Sequence, residues 1–258
     1  MIDYLSHITA ESMAFGAALR RGGLEATVPT CPEWTLADLG FHLAEVQYFW
    51  GSIVEGLLLD PEDVEPLERP DADADVSHLF DVQSLRLVTA LRQRNQDDRC
   101  WTWHETGSTV GWVLRRQAHE AAIHRVDAEL TTGTASALDH GLAVDGVDEI
   151  LTVMIGGYPS WAEFTPDGTS IAIRLTDAER SWHLRGGRMT GTSPRTGNDY
   201  DLEAFDVIEG ADDDADATIS APAAAMDLWL WGRGTDIAVA GDRTQADRLR
   251  ALAAEDTQ

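Results

Sequence analysis

The sequence is poor in cysteine and in positive charge. Its 258 residues include two cysteines, Cys31 and Cys100, which lie far apart and form no CxxC pair. This excludes a disulfide framework and a cysteine zinc knuckle, so any thiol chemistry requires a thiol from outside the chain. The 19 lysine and arginine residues face 45 acidic residues, and the formal net charge is −26. That charge argues against nucleic acid and anionic membrane surfaces as partners.

Long apolar runs are also missing. No window approaches the roughly 18 uncharged apolar residues that a membrane span needs. The opening segment MIDYLSHITAES lacks the basic and apolar stretches of a secretory signal. The chain is nevertheless 43% hydrophobic and has 9 tryptophans, enough for a packed core. We therefore expect a cytoplasmic protein with no membrane association, either a monomer or a homodimer.

The first 160 residues show helical periodicity, and the remainder shows mostly short β-type runs. Apolar residues recur at three- and four-residue steps in five segments, which predicts helices over about 3–22, 35–58, 76–95, 109–130 and 138–156. Thr35 and Asp38 form a shortened capping box at the start of the second helix. The segment 60–75, rich in proline and acid, is predicted to be a solvated connection.

Beyond residue 160 the pattern changes. SIAIRL, RSWHLRG, DATISA and DIAVAG predict strands, whereas AAAMDLWLWGR and DRTQADRLRALAAE predict helices. The chain is also longer than one typical domain of about 100–200 residues. We therefore predict a helical domain over residues 1–160 and a small α/β domain over residues 161–258.

Glu120 and His124 are four residues apart in the fourth predicted helix, within RRQAHEAAIHRVDAE. Residues at i and i+4 share a helix face, so both side chains can reach one ion, although an exposed Glu–His pair has the same spacing. Asp127 can orient the His124 imidazole or be solvated. His119 points about 100° away from Glu120, and we expect it beside the site or at the surface rather than as a ligand.

His42 interrupts an apolar stretch of the second predicted helix. An imidazole buried there without a polar partner would cost about 1–3 kcal/mol. A backbone carbonyl could satisfy it, but so could a metal shared with Glu120 and His124. Two histidines and one carboxylate from bundle helices are a ligand set of catalytic zinc, with a fourth position left for water or substrate. Iron, nickel and cobalt suit the same donors, so zinc is the first choice for the divalent metal.

Three motifs follow one another along the chain. CPEWTLADLGFHLAEVQ contains His42, HEAAIHRVD contains Glu120 and His124, and WGRGTD contains Arg233. In this order, spanning residues 31–236, they resemble the mycothiol-dependent maleylpyruvate isomerase family. The resemblance implies an α+β protein, with an N-terminal DinB-like four-helix bundle followed by a small α/β domain similar to sterol-carrier proteins.

The resemblance also implies roles for individual residues. His42, Glu120 and His124 would bind the metal, Arg233 would be catalytic, and mycothiol would be the thiol cosubstrate. A metal-bound thiol is deprotonated at neutral pH, which generates the nucleophile. From the sequence alone, Arg233 can equally be a helix-terminal arginine that bonds the last carbonyls. Cys31 is the internal alternative as a nucleophile, but no adjacent cation lowers its pKa.

Three functions remain open at this stage. The first is a mycothiol-dependent cis–trans isomerase of a maleylpyruvate-type substrate, and the second is a mycothiol S-transferase. The third is a non-catalytic protein whose C-terminal domain holds an apolar ligand. We expect an enzyme with a small anionic or electrophilic substrate, because a binding scaffold requires neither the three ligands nor Arg233. Trp101 and Trp103 are interpreted as packing residues, although they could line the pocket.

Overall fold

The chain forms two compact units, Met1–Ala137 and Leu138–Gln258. The computed structural model describes residues 2–104, 107–133, 135–210 and 212–256, and the side chains only as far as residue 254. The division between the units lies earlier in the chain than the boundary that the sequence predicted after residue 160.

Four helices make up the first unit. Their bounds lie close to the predicted ones: α1 (Tyr4–Arg21), α2 (Leu36–Gly56), α3 (Val76–Gln93) and α4 (Val110–Thr131). A short antiparallel ribbon that the sequence did not predict, β1 (Thr27–Val28) and β2 (Cys31–Thr35), joins α1 to α2.

The four helices form two pairs, and the two helices of each pair are parallel. One pair is antiparallel to the other. The contacts that define the pairs are Tyr4–His119 and Glu11–Arg125 between α1 and α4, and Gly40–Val76 and Gly51–Leu87 between α2 and α3. Because α2 and α3 are parallel, residues 57–75 must return along the bundle as a long crossover. This segment contains two short 3-10 turns, Pro61–Asp63 and Asp73–Asp75.

The predicted capping box at the start of α2 is confirmed. The Thr35 hydroxyl accepts a hydrogen bond from the Asp38 backbone N–H at 3.2 Å, and the Thr35 N–H donates to the Asp38 carboxylate at 2.9 Å. The guanidinium of Arg69 donates to the same carboxylate at 2.5 Å. The crossover is thereby attached to the helix that carries His42.

Apolar side chains from α1, α2 and α3 form much of the bundle core. Phe15 and Phe80 pack with ring centroids 4.7 Å apart, and the fully buried residues around them include Leu19, Leu36, Leu39 and Leu43. By contrast, α4 buries many polar side chains, including Arg116, Gln117, His119, His124, Arg125, Asp127 and Glu129. Buried polar groups require partners, so α4 constrains the packing of its neighbours more than a purely apolar helix would.

The second unit begins with α5 (His140–Glu149), which continues as a π-helical segment, Ile150–Ile155. α5 packs against α6 so closely that a Cβ on Gly146 would lie 2.6 Å from an Asp227 carboxylate oxygen. This packing explains why the fifth predicted helix belongs to the second unit.

A five-stranded sheet forms the centre of the second unit, in the order β5-β4-β3-β6-β7. β3 and β6 are parallel, and the other neighbours are antiparallel. The elements are β3 (Glu163–Leu175), β4 (Ser181–Thr192), β5 (Asp199–Glu209), β6 (Ala217–Ala221), α6 (Ala223–Leu230), β7 (Ala238–Gly241) and α7 (Arg243–Asp256).

Strand β5 was not predicted from the sequence, because acidic residues interrupt its apolar pattern. In the sheet these acids pair with arginines of β4: Asp201 accepts from Arg188 at 2.6 Å, and Asp206 accepts from Arg185. Cross-strand pairs of opposite charge stabilise an edge strand that propensity alone does not favour. None of the described helices is long and apolar enough to cross a membrane.

Arg125 provides the first testable prediction. Its guanidinium is 2% exposed and donates to Glu11 of α1 at 2.7 Å and to Glu129 at 3.0 Å. We expect Arg125→Ala to lower the free energy of unfolding by about 3–5 kcal/mol, because it leaves two buried carboxylates without their cation.

The matched control is Arg20→Ala. Arg20 and Asp81 form an ion pair at 2.9 Å in which both side chains are 51% exposed, so its loss should cost at most about 1 kcal/mol. Urea unfolding followed by circular dichroism measures both changes. Equal losses of unfolding free energy in the two variants would contradict the expectation that the buried ion pairs of Arg125 stabilise the fold more than an exposed pair does.

Candidate metal centre

His42, Glu120 and His124 converge on one point of the bundle. Each offers one donor atom, and these three atoms lie within 4.8 Å of one another. α2 supplies His42, and successive turns of α4 supply Glu120 and His124. The antiparallel arrangement of these two helices brings the first half of α2 beside the second half of α4. The three residues singled out in the sequence therefore form one cluster.

Glu120 lies at the centre of the cluster. One carboxylate oxygen is 3.1 Å from Nε2 of His124 and 3.7 Å from Nε2 of His42, while the other accepts from Arg116 at 2.8 Å. Burial alone would raise the pKa of Glu120. The hydrogen bonds from the two histidines and the charge of Arg116 outweigh burial and hold this pKa well below its ordinary value.

His124 is held between two carboxylates. Its Nδ1 lies 3.1 Å from Asp127, and its Nε2 faces Glu120. Asp127 is fully buried and also accepts from the Thr30 hydroxyl at 2.6 Å. Burial opposes the charged imidazole, but the hydrogen bonds to Asp127 and Glu120 outweigh it and raise the pKa of His124 to about 9. Asp127 thus orients the imidazole, as the sequence suggested that it could.

His42 occupies a more open position. Its side chain is 31% exposed, whereas the sequence placed it on an apolar face in the bundle core. Its ring contacts the rings of Trp34 and His124, with centroids 4.8 Å and 5.0 Å away. Of the two histidines, His124 is therefore enclosed by protein, and His42 forms the solvent-facing side of the cluster.

The donor set fits a divalent metal. Ligands of a tetrahedral zinc ion, each about 2.1 Å from the metal, lie about 3.4 Å from one another. The two donor separations of 3.1 Å and 3.7 Å are close to that value. Two imidazoles and one carboxylate also leave room for a fourth ligand. Asp127, bonded to the far nitrogen of His124, is the kind of partner that fixes a ligand histidine.

Sequence reasoning missed Arg116 and Thr30. Arg116 stands four residues before Glu120, the spacing of a helical ion pair, and that spacing could have identified it. Thr30 lies in the turn of the unpredicted ribbon, so no local pattern relates it to Asp127. His119, expected beside the site or at the surface, is 1% exposed and packs its ring against Tyr4 of α1.

The two cysteines lie outside this cluster. Cys100 is 1% exposed, and burial together with the charge of Asp98 raises the pKa of its thiol to about 11. Cys31 is partly buried in β2 and packs against the bundle core. Neither forms a disulfide. A buried thiol with a raised pKa is a poor nucleophile, so Cys100 is not suited to catalysis.

Arg233 follows α6 in the second unit. It is 4% exposed, and its guanidinium donates to the carbonyl of Trp231, the C-cap residue of α6. The bond to a helix-terminal carbonyl matches one of the two interpretations that the sequence left open. A second cation, Arg250, lies nearby. Burial lowers the pKa of Arg250, and the positive charge of Arg233 lowers it further. Arg233 and Arg250 are therefore close neighbours in the second unit.

The fold and the cluster define the class: a two-unit α+β protein whose helical bundle carries two histidines and a glutamate. A model of the mycothiol maleylpyruvate isomerase N-terminal domain matches residues 5–129. A model of the MDMPI C-terminal domain matches residues 141–248. The chain therefore belongs to the mycothiol-dependent maleylpyruvate isomerase family, a family of enzymes, and the resemblance stated from the motifs is confirmed.

Two solved structures share the fold. They are the mycothiol-dependent maleylpyruvate isomerase and a variant of it in which one histidine is replaced by alanine. Each matches with a TM-score of 0.56 and 14% identity, over 92% of this chain and 92% of the other. The fold class predicted from the sequence, a DinB-like bundle followed by a small domain with a sheet, is thereby confirmed. No curated protein matches the sequence.

The His124 pKa provides a test in the metal-free protein. We expect the His124 ring to titrate near pH 9 rather than near its ordinary 6.5, and Asp127→Asn to move that pKa towards 6.5. The pKa of His124 is higher in the folded chain than in the unfolded chain. The charged ring therefore contributes its full stabilisation below about pH 6.5, and this stabilisation is lost as the pH rises through about 9.

Nuclear magnetic resonance of the histidine rings measures this titration. Asp60→Asn is the matched control, because Asp60 is an exposed carboxylate that caps a turn of the crossover. It should leave the His124 titration unchanged. A His124 ring that titrates near pH 6.5 in the wild type would show that the two carboxylates do not hold its proton.

Proposed function

We propose that this chain uses a divalent metal and mycothiol to add a thiolate to an unsaturated or electrophilic small molecule. The reaction that we favour is cis–trans isomerisation of a maleylpyruvate-type substrate. The convergence of His42, Glu120 and His124 within 4.8 Å carries the proposal, and membership of the family supports it. A divalent metal bound there, with zinc as the first choice, would keep a coordinated thiol in its thiolate form at neutral pH.

The chain's own residues prepare the ligand atoms. Asp127 accepts from Nδ1–H of His124, which leaves Nε2 to face the cluster. Arg116 bonds one carboxylate oxygen of Glu120 and leaves the other directed at both histidines. The proton that His124 retains up to about pH 9 is the one that a metal must displace. Metal affinity should therefore fall as the pH is lowered.

The proposed isomerisation balances without any further reactant. The thiolate sulfur of mycothiol forms a bond to one alkene carbon, and the alkene electron pair moves to the conjugated carbonyl to give an enolate. The former double bond is now a single bond and can rotate. Collapse of the enolate re-forms the double bond in the trans geometry and expels the thiolate. Substrate and product therefore have the same mass.

We propose that Arg233 binds a substrate carboxylate or the enolate oxygen. A guanidinium can donate two parallel hydrogen bonds to a carboxylate, and a preorganised cation stabilises an oxyanion as it forms. Because the net charge of −26 repels an anionic substrate, such a substrate needs a local cation to bind. We also propose a cytoplasmic location, because neither cysteine forms a disulfide and a thiol cosubstrate requires a reducing compartment.

Metal content is the first test of this proposal. We expect one metal ion per wild-type chain by inductively coupled plasma mass spectrometry. His42→Ala, Glu120→Ala and His124→Ala should each lose it, together with mycothiol-dependent turnover. The control is His78→Ala, since His78 is exposed on α3 and lies outside the cluster. Turnover that survives metal removal would overturn the proposed role of the cluster.

Arg233→Lys tests the role of the second unit. We expect it to keep the metal and the fold but to lower kcat/KM about 10²-fold or more, because lysine lacks the planar fork of arginine. Arg243→Lys is the control, since Arg243 is exposed at the start of α7. Unchanged kcat/KM in Arg233→Lys would show that Arg233 does not bind the substrate.

Mass spectrometry of the product distinguishes isomerisation from S-transfer, since only S-transfer adds the mass of the thiol.

A further inference from the structure

A cavity of about 310 Å³ lies in the first unit, on the same face of α2 as His42. Val46 and Phe49, which form part of its wall, follow His42 at positions i+4 and i+7 of the helix. At 1.5 Å per residue, the wall begins roughly 6 Å along the helix axis from His42. The cavity therefore begins about one helical turn from His42, which is one of the three candidate metal ligands.

The helix side of the cavity is aromatic and firmly packed. Phe49 and Trp50 line it, and Trp50 stacks on Trp101 with ring centroids 5.8 Å apart and planes 22° apart. Trp112, at the start of α4, packs against Trp50 at 5.6 Å. Phe49 meets the edge of Trp101 at 5.8 Å. Because these rings hold one another in place, the wall offers a preformed surface for a planar group.

The opposite side is formed by residues 64–67 of the crossover, which include Leu67. The sequence predicted this segment to be a solvated connection only. Leu67 instead packs against the bundle core, and Arg69 attaches the segment to α2 through Asp38. The crossover is thus held over α2 and forms the second wall of the cavity.

The charges at the cavity are of one sign. Among the described residues that line it, the charged ones are Glu45 and Glu65, both exposed. Neither has an ion-pair partner within the part of the chain that the structure describes. The net charge of −26 adds to the local field. A carboxylate entering the cavity would therefore be repelled, whereas a neutral group would not.

We propose that this cavity binds a planar, apolar, uncharged group of the electrophilic substrate. The inference rests on the proposed function, because it places that group beside the thiolate at the metal centre. A volume of about 310 Å³ is at the lower end of small-molecule sites and suits one or two rings. The substrate of this chain would then be an unsaturated or electrophilic acid that carries this neutral group in addition to the carboxylate proposed to bind Arg233.

A matched pair of probes tests the cavity without turnover. Isothermal titration calorimetry of the metal-loaded full chain would compare naphthalene-2-carboxamide with naphthalene-2-carboxylate, which differ mainly in charge. We expect the carboxamide to bind at least about tenfold more tightly. Val46→Phe should fill the cavity and weaken carboxamide binding by at least about tenfold, whereas the double variant Glu45→Gln, Glu65→Gln should narrow the preference between the probes.

Val82→Phe is the control, since it adds the same ring at an exposed position of α3, where Val82 is 45% exposed. It should bind both probes as the wild type does. If Val46→Phe fails to fold, Leu67→Trp narrows the cavity from the crossover side and is expected to give the same loss.

The two proposals fail in different ways. Equal binding of the two probes, or unchanged carboxamide binding in a folded Val46→Phe or Leu67→Trp variant, would overturn the cavity proposal and leave the metal centre untouched. If the proposed function of the metal centre is wrong, the chain will contain no bound metal and show no mycothiol-dependent turnover, although the carboxamide still binds. His42→Ala should lose the metal but retain carboxamide binding, which would support the cavity as a site in its own right.

Discussion

The first unit depends on keeping the buried charges of α4 paired. His124 lies between Glu120 and Asp127, and Arg125 is held by carboxylates of α1 and α4. An unpaired charge in these positions would be costly, so α1 cannot shift against α4 without breaking the Arg125–Glu11 pair. The pairs of His124 with Glu120 and Asp127, both within α4, orient its ring so that Nε2 faces Glu120. Helix packing and ligand geometry therefore both depend on pairing the buried charges of α4.

Features set by short-range patterns could be predicted from the sequence. The four bundle helices follow from apolar periodicity, and the capping box at Thr35 follows from two residues three apart. Glu120 and His124 share a face because a helix repeats every 3.6 residues. His42 joined that pair as a candidate ligand because an imidazole in an apolar helix segment needs a polar partner, and the resemblance to the family then assigned it to the metal. Metal binding by the three residues stays a prediction that their geometry supports.

Features that depend on distant partners could not be predicted in the same way. Strand β5 is stabilised by arginines of β4, but its acidic residues interrupt the apolar alternation by which a strand is predicted from sequence. The two units divide between residues 137 and 138, rather than after residue 160, because α5 packs on α6. Apolar periodicity does not reveal that contact. The cavity beside α2 forms only when the crossover folds back over aromatic residues. Its two exposed glutamates, Glu45 and Glu65, come together only through that crossover.

X-ray absorption spectroscopy of the zinc-loaded chain, recorded with and without mycothiol, tests the central claim most directly. The account predicts nitrogen and oxygen ligands near 2.0–2.2 Å, and a new zinc–sulfur distance near about 2.3 Å when mycothiol is added. Zinc whose ligand shell is unchanged by mycothiol would contradict the claim that this cluster activates the thiol.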